Sequence, residues 1–191
     1  RRFIKAIDGK KSQTNLKIEE INKFTKEDDI PNMLAPCLKG FDVGVLSDAG
    51  CPGIADPGAA VVAEAHKNGI KVVPLVGPSS ILLAMMSSGF NGQNFTFNGY
   101  LPIDKGERKA KIKKLEKRSS QENQSQLFIE TPYRNNQMLE SLTTTLQKST
   151  EICVACDITL STEFIRTASA QDWKYIKVDL HKRPTLFIIQ A

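Results

Sequence analysis

Two apolar, β-branched runs, residues 43–46 and 70–76, flank a short helical pattern in the first half of the chain. Each run ends in a loop rich in Gly, Pro, Ser and Asp. The pattern between them predicts a helix over residues 58–68, which Asp56 can cap and Asn68-Gly69 can end. Strand, helix and strand in this order predict a parallel βαβ unit with both loops side by side at one sheet edge. Because ligands bind at that edge in such units, the segment predicts a binding crevice.

The composition is that of an ordinary globular protein. The chain has 191 residues, of which 40% are hydrophobic and 25% charged. No apolar run approaches the roughly 20 residues of a membrane-spanning helix. The first residues, RRFIKAIDGKK, lack the apolar core of a signal peptide. We therefore expect a cytoplasmic protein that does not enter a membrane.

The order of patterns along the chain predicts an α/β fold with two lobes, residues 1–91 and 92–191. The first lobe is expected to hold a parallel sheet. Since its first strong strand pattern begins only at Val43, we expect that an N-terminal strand of this sheet is missing. The second lobe is expected to hold a mixed sheet. Its predicted elements are a short strand around Phe95 and Phe97, a basic helix over 106–118, strands over 126–130, 152–158 and 185–190, and a helix over 133–147.

The four cysteines do not predict a metal site. Cys153 and Cys156 have the two-residue spacing of a zinc or redox motif, but they lie in a strand-like run. Residues three apart in a strand face opposite sides of the sheet, and no second such pair exists. We interpret them as buried strand cysteines.

Several common ligand sites are excluded by spacing. The chain has no P-loop, no G-x-G-x-x-G after a strand and no G-x-S-x-G elbow. The loops over 47–53 and 74–80 remain, and their small residues would let a flat ligand such as adenosine approach the main chain. Asp48 could bind a ribose hydroxyl or a cationic group. The alternative is that both loops are only tight turns at strand ends.

The same loops carry a family resemblance. LSDAGCPGIADPG (46–58) and VVPLVGPSS (72–80) are similar to the tetrapyrrole methylase superfamily. The nearest similarity is to the branch that methylates a cytidine ribose 2′-oxygen in small-subunit ribosomal RNA. Segments 99–102, 129–134 and 156–163 follow in the order of that branch, with the basic helix among them. The chain departs from the family at 181–184, which reads HKRP, and at 156–159, which reads CDIT.

The resemblance implies a cofactor, S-adenosylmethionine (SAM), bound between the two lobes, and a homodimer. Matched residue by residue, the cofactor contacts of the first lobe would fall on Asp48, Ala49, Gly50, Cys51, Pro52, Ile54, Gly77, Pro78, Ser79 and Ser80. Those of the second lobe would be Thr131, Pro132, Ile158 and Pro184.

Methyl transfer to a neutral alcohol gains from a positioned base, and the candidates are Glu130, Asp157 and Glu163. Each has a plainer interpretation: an ion pair between Glu130 and Arg134, a turn capped by Asp157, and a surface position for Glu163. The residues expected to bind an RNA substrate are Lys105, Arg108, Lys109, Arg134, Lys182 and Arg183.

Three hypotheses stay open from the sequence. The first is an RNA ribose methyltransferase, the second methylation of a small molecule such as a tetrapyrrole, and the third a non-catalytic binding module. The basic helix favours RNA only if it is more than a solvated surface, which is the commoner meaning of such a helix.

Overall fold

The computed structural model describes residues 2–10, 12–14, 16–47 and 50–191. The chain divides into two compact units, Arg1–Gly77 and Pro78–Ala191. The sequence analysis set the change of lobe at residues 91 and 92. The helix that lies between the two boundaries, α4 (Ser80–Ser88), packs on the sheet of the second unit through Ala84 and Met85.

The regular secondary structure described in the first unit is helical. Its small core joins Ile30 and Leu34 to Val61 and Ala65. The predicted helix after the first Gly/Pro-rich loop is confirmed and ends at Asn68, whose backbone N–H caps it. The helices are α1 (Arg2–Ile7), α2 (Ile30–Leu34) and α3 (Gly58–Lys67), with 3-10 turns at Glu27–Asp29 and Cys37–Lys39.

The parallel sheet predicted for this unit does not form among the described residues. Segments 43–46 and 70–76 belong to no strand there, and only Val45 and Ile70 reach the small core. Leu75 is 88% exposed and Val76 is fully exposed. A strand exists only when its backbone groups pair with a neighbour, so an apolar β-branched pattern cannot produce one alone.

The second unit contains a five-stranded mixed sheet, which confirms the α/β class and the mixed sheet predicted for this half. The strand order is β1-β2-β5-β3-β4; β1 and β2 are parallel and the other neighbours antiparallel. The strands are β1 (Phe95–Tyr100), β2 (Ser125–Ile129), β3 (Glu151–Cys156), β4 (Phe164–Ser169) and β5 (Thr185–Gln190), and the helices that follow α4 are α5 (Lys105–Glu122) and α6 (Asn135–Thr145).

Alternating side chains of the sheet enter two separate cores. On β5, Phe187 and Ile189 pack under α5 and α6, whereas Leu186 and Ile188 face α4. This period of two is what a sheet covered by helices on both faces requires. The strand β4 was not predicted; it is a half-exposed edge strand whose polar residues weaken the apolar pattern.

The two cysteines of β3 follow the same alternation. Cys156 lies in the core under α5 and α6, and Cys153 in the core that faces α4. The prediction that they point to opposite faces is confirmed. Among the residues that the structure describes, no three His, Cys, Asp or Glu side chains come together as metal ligands. Nor is any helix in those ranges long and apolar enough to cross a bilayer.

Candidate functional site

Three chain segments of the second unit meet at the end of its sheet where β2 and β3 finish and β5 begins. Because β5 runs antiparallel to both β2 and β3, its first residues lie beside the last residues of those strands. We call segments 130–135, 157–163 and 181–185 the edge site. The Asp157 N–H donates to the Pro184 carbonyl at 2.9 Å and the Lys182 N–H to the Pro132 carbonyl at 3.0 Å. The predicted cofactor residues Thr131, Pro132, Ile158 and Pro184 therefore lie on segments that are bonded to one another.

A buried ion pair holds two of these segments together. Arg183 Nε donates to Asp157 Oδ2 at 2.8 Å, and Thr162 Oγ1 donates to the same oxygen at 2.8 Å. Arg183 also donates to the Thr162 carbonyl at 2.6 Å. The hydrogen bond from Arg183 lowers the pKa of Asp157 although burial opposes it, and the bond to Asp157 raises the pKa of Arg183. Asp157 is thus an ionised anchor and a weak proton acceptor.

The backbone of the edge site is strained. Asp157, Thr159 and Lys182 have φ angles of 51°, 71° and 59°. Positive φ is uncommon for residues other than Gly and costs of order 1–3 kcal/mol where it persists. Strain of this kind concentrates at functional sites, so it makes the segments 157–163 and 181–185 candidates for a binding role.

A second ion pair lies at the end of β2. Arg134 Nη2 donates to Glu130 Oε1 at 2.6 Å, and the Thr131 N–H donates to the same oxygen at 2.6 Å. The Glu130 side chain is 1% exposed. This geometry agrees with the interpretation of Glu130 as half of a structural ion pair, and it turns Arg134 inward rather than toward a phosphate.

Two buried polar atoms beside this pair have no protein partner among the described residues. They are Arg134 Nε, a donor, and Asn135 Oδ1, an acceptor. The Asn135 amide nitrogen donates to the Arg183 carbonyl at 2.7 Å, which fixes the side chain. A buried donor and acceptor without partners are costly, and neither atom is exposed at the surface where a ligand could reach it. Asn135 was not predicted from the sequence. Its position directly after the Thr131–Arg134 turn is the signal that could have indicated it.

Glu163 is the exposed carboxylate of the edge site. Its Oε2 accepts the Thr159 N–H at 2.6 Å. In the described ranges no ion pair involves Glu163, whereas Glu130 and Asp157 are each paired with an arginine. The structure brings the three predicted base candidates to the same edge, but only Glu163 faces solvent without a cation.

The loop before α3 is organised by one carboxylate. Asp56 Oδ1 accepts the N–H groups of Gly53 at 3.1 Å and Gly58 at 2.8 Å. Partial burial acts to raise the pKa of Asp56, but the bonds from Gly53, Gly58 and Ser47 outweigh it, and the pKa lies below its usual value. A Cβ on Gly58 would lie 2.8 Å from this oxygen, so only Gly fits. Of the predicted cofactor residues here, Ile54 is exposed and Cys51 half-buried, and Asp48 and Ala49 lie outside the described residues.

The loop 77–80 carries a Gly that its own packing does not require. A Cβ on Gly77 would meet none of the described atoms within 4 Å, and its φ is not positive. Ser79 is extended before Ser80 begins α4. Pro78 and Gly77 are exposed. This loop is thus shaped for neither a tight contact nor a left-handed turn at Gly77.

The predicted RNA contacts separate into exposed and buried groups. Lys105 and Lys109 are exposed on α5, and Lys182 is exposed in the edge site. Arg108 is 2% exposed; it donates to Ser141 Oγ at 3.1 Å and to the Ile103 carbonyl at 2.8 Å. The prediction that Arg108 meets a phosphate is therefore corrected, because the buried stripe of α5 runs through it.

The sheet with helices on both faces, and a loop cluster where β2 and β3 end and β5 begins, is an α/β fold that solved methyltransferases share. The methyltransferase CobJ superposes with a TM-score of 0.61 at 16% identity, covering 98% of this chain and 80% of that chain. The cobalt precorrin-4 methyltransferase CbiF gives a TM-score of 0.55 at 11% identity, covering 91% and 74%. These likenesses concern the fold.

The chain belongs to the family of Tetrapyrrole (Corrin/Porphyrin) Methylases, whose family model matches residues 4–173. Among curated proteins, it is 34% identical over 129 residues to Ribosomal RNA small subunit methyltransferase I of Vibrio cholerae, covering 68% of this chain and 43% of the relative. The protein of the same name from Thermotoga maritima is 39% identical over 137 residues, covering 70% and 58%. The chain spans about half the length of the curated relatives it matches.

Proposed function

We propose that this protein is a SAM-dependent methyltransferase that modifies a ribose 2′-hydroxyl of small-subunit ribosomal RNA. The observation that carries the proposal is the identity of 28–39% to relatives named for ribosomal RNA methylation, against 11–16% for the tetrapyrrole-type fold neighbours. The resemblance of the motifs to the ribose-methylating branch supports the ribose 2′-oxygen as the methyl acceptor. The exposed lysines of α5 supply the charge that an RNA backbone needs.

The residues proposed to hold the cofactor lie on the Gly/Pro-rich loops and on the edge site. They are Gly50–Ile54, Gly77–Ser80, Thr131, Pro132, Ile158 and Pro184, together with Asp48 and Ala49, which are predicted from the sequence and lie outside the described residues. When bound, SAM would supply the methyl group of its sulfonium to the ribose oxygen by in-line displacement, with S-adenosylhomocysteine as the leaving group.

The chain's own contribution to the reaction would be position and proton transfer. Asp157, held by Arg183, keeps the loop after β3 in its strained shape. Glu130, held by Arg134, fixes the turn after β2. Glu163 follows on the first of these loops and would accept the proton of the ribose hydroxyl. Glu163 is exposed and joins no ion pair in the part of the chain that the structure describes, whereas the hydrogen bond from Arg183 lowers the pKa of Asp157 and makes it a weaker base.

The whole proposal is tested by ribosomal RNA from cells that lack the gene. Mass spectrometry of its nucleosides should show the loss of one 2′-O-methylated nucleotide, and the purified protein with SAM should restore it on naked or subunit-bound RNA. Calorimetry with S-adenosylhomocysteine checks the cofactor separately. Methylation of a tetrapyrrole with unchanged RNA would favour the small-molecule alternative. Binding of RNA without S-adenosylhomocysteine would favour a non-catalytic module.

The role of Glu163 is tested by Glu163→Gln. We expect kcat to fall roughly 10²-fold or more, as for loss of a general base, with the affinity for S-adenosylhomocysteine unchanged. Glu151→Gln is the matched control, because Glu151 is also exposed but begins β3 at the opposite end of that strand. Full turnover in Glu163→Gln, Glu130→Gln and Asp157→Asn alike would remove all three carboxylates from the chemistry.

We also propose a homodimer in the cytoplasm. Support for the dimer comes from the family resemblance, and support for the location from the proposed ribosomal substrate. Sedimentation equilibrium of the purified chain gives the mass directly, and a monomer at micromolar concentration would exclude the dimer.

A further inference from the structure

An exposed aromatic side chain lies within the edge site, with two basic residues around it. Tyr133 is 69% exposed. The His181 ring meets it edge-on, with centroids 5.8 Å apart and an interplanar angle of 75°, and Lys182 Nζ lies 5.8 Å from its centroid. We call Tyr133, His181 and Lys182 the Tyr133 platform. None of the three is among the core residues, so packing does not explain the tyrosine.

The platform is held in place by backbone bonds. The Lys182 N–H donates to the Pro132 carbonyl at 3.0 Å, which joins the two segments next to the ring. Asp179 Oδ1 accepts the His181 N–H at 3.0 Å and the Asn136 amide at 2.8 Å. An aromatic ring presented on a fixed turn loses little freedom when a planar group stacks on it.

The surroundings of the ring favour an anionic nucleic acid over a cationic ligand. Lys182 is exposed at the ring, and none of the ion pairs among the residues that the structure describes involves it. The two arginines of the same segments are already paired with carboxylates. SAM carries a sulfonium and an ammonium against one carboxylate, so its net charge is positive and Lys182 would repel it. Stacking on aromatic side chains with cations on the neighbouring phosphates is how proteins bind single-stranded RNA.

We propose that Tyr133 stacks on an unpaired base of the RNA substrate, with Lys182 on an adjacent phosphate. This inference rests on the proposed function and adds a positioning residue to it: the stacked base fixes the register of the strand beside the edge site. His181 sets the tilt of the ring through its edge contact. Tyr133 takes no part in proton transfer.

The test compares Tyr133→Ala with Tyr133→Phe, using fluorescence anisotropy of a labelled single-stranded fragment of small-subunit ribosomal RNA. We expect Tyr133→Ala to weaken binding roughly tenfold to a hundredfold, with KM raised and kcat nearly unchanged. Tyr133→Phe keeps the ring and should bind as the wild type does. Tyr175→Ala is the matched control, because Tyr175 is 80% exposed in the same unit but outside the platform.

The salt dependence separates stacking from charge. Lys182→Ala should reduce the slope of log K against log salt by about one contact, whereas Tyr133→Ala should leave the slope unchanged. Equal RNA affinity of Tyr133→Ala and the wild type would overturn the inference while the proposed function stands. Weaker S-adenosylhomocysteine binding with normal RNA binding in Tyr133→Ala would also overturn it, by placing the ring on the cofactor. A wild type that binds no RNA would overturn the proposed function itself.

Discussion

Asp157 and Arg183 show how single residues shape the edge site. The two residues are far apart in sequence, yet Arg183 Nε donates a hydrogen bond to Asp157 Oδ2 at 2.8 Å. This bond fixes the loop after β3 against the loop before β5. Removing one partner of such a pair leaves the other charge without compensation. The side chain of Arg183 is 27% exposed, so solvent screens part of this cost.

The pH dependence of stability follows from the lowered pKa of Asp157. We expect Asp157→Asn to lower the free energy of unfolding by about 1–3 kcal/mol at neutral pH. Because the folded pKa is depressed, this difference is complete above the unfolded pKa of about 3.9 and is lost as the pH falls through the folded value. Urea unfolding from pH 7 to pH 2 measures it. Asp172→Asn, which removes an exposed carboxylate bonded to Ser169, is the control; a constant difference across this range would contradict the prediction.

Gly77 offers a test of cofactor binding that does not depend on folding. Since a Cβ there meets none of the described atoms within 4 Å and the φ is ordinary, Gly77→Ala should leave the thermal midpoint unchanged. If the loop contacts SAM, the added methyl should weaken S-adenosylhomocysteine binding about tenfold or more, as a steric clash in a fitted site does.

Calorimetry of Gly77→Ala beside Gly92→Ala makes the comparison. Gly92 has equally open surroundings among the described residues but lies outside the predicted loops. Equal affinity in both variants would separate Gly77 from the cofactor.

Helix α5 has a buried face that packs on the sheet and an exposed face that carries lysines. Arg108 lies on the buried face, which is why its predicted contact with RNA was wrong. Ile112, Leu115 and Ser119 are buried on one face together with Arg108. Asp104 caps the helix by accepting the Glu107 N–H at 2.9 Å. The lysines stay on the other face, and a basic run in the sequence does not distinguish the two.

Two neighbouring substitutions on α5 should therefore behave differently. Arg108→Ala should lower the free energy of unfolding by about 2 kcal/mol, because it removes a buried side chain and two hydrogen bonds, and leave RNA affinity unchanged in the folded fraction. Lys109→Ala should leave stability unchanged and reduce the salt slope of RNA binding by about one. Chemical unfolding and salt titrations of RNA binding check both, and the opposite assignment would refute the face argument.

The whole molecule distributes its cysteines between the two units, and this provides a readout of each. Cys37 and Cys51 are half-buried in the first unit, while Cys153 and Cys156 are fully buried in the sheet of the second. Burial raises the pKa of both sheet thiols, and a thiol, unlike a thiolate, reacts slowly.

A disulfide-exchange reagent should consequently modify Cys37 and Cys51 in the native protein, and Cys153 and Cys156 only when the sheet unfolds. Mass spectrometry after timed labelling in increasing urea assigns each site. The single variants Cys153→Ala and Cys156→Ala identify the slow pair. Rapid modification of either sheet cysteine under native conditions would contradict the packing described.

Local patterns in the chain determined much of this protein. The apolar run after Pro184 predicted β5, and the alternation of side chains along a strand predicted the opposite directions of Cys153 and Cys156. The Asp56 and Asn68-Gly69 signals bounded α3 within a residue or two. These features depend on neighbours in sequence, which is why they can be read from it. The family motifs likewise occupy contiguous stretches.

The tertiary structure decided what distant residues do to one another. It joined Asp157 to Arg183, buried Arg108 and left segments 43–46 and 70–76 without strand partners among the described residues. Strand pairing and the pairing of charges need a second segment brought close by the fold, and a pattern in one segment holds no information about that partner.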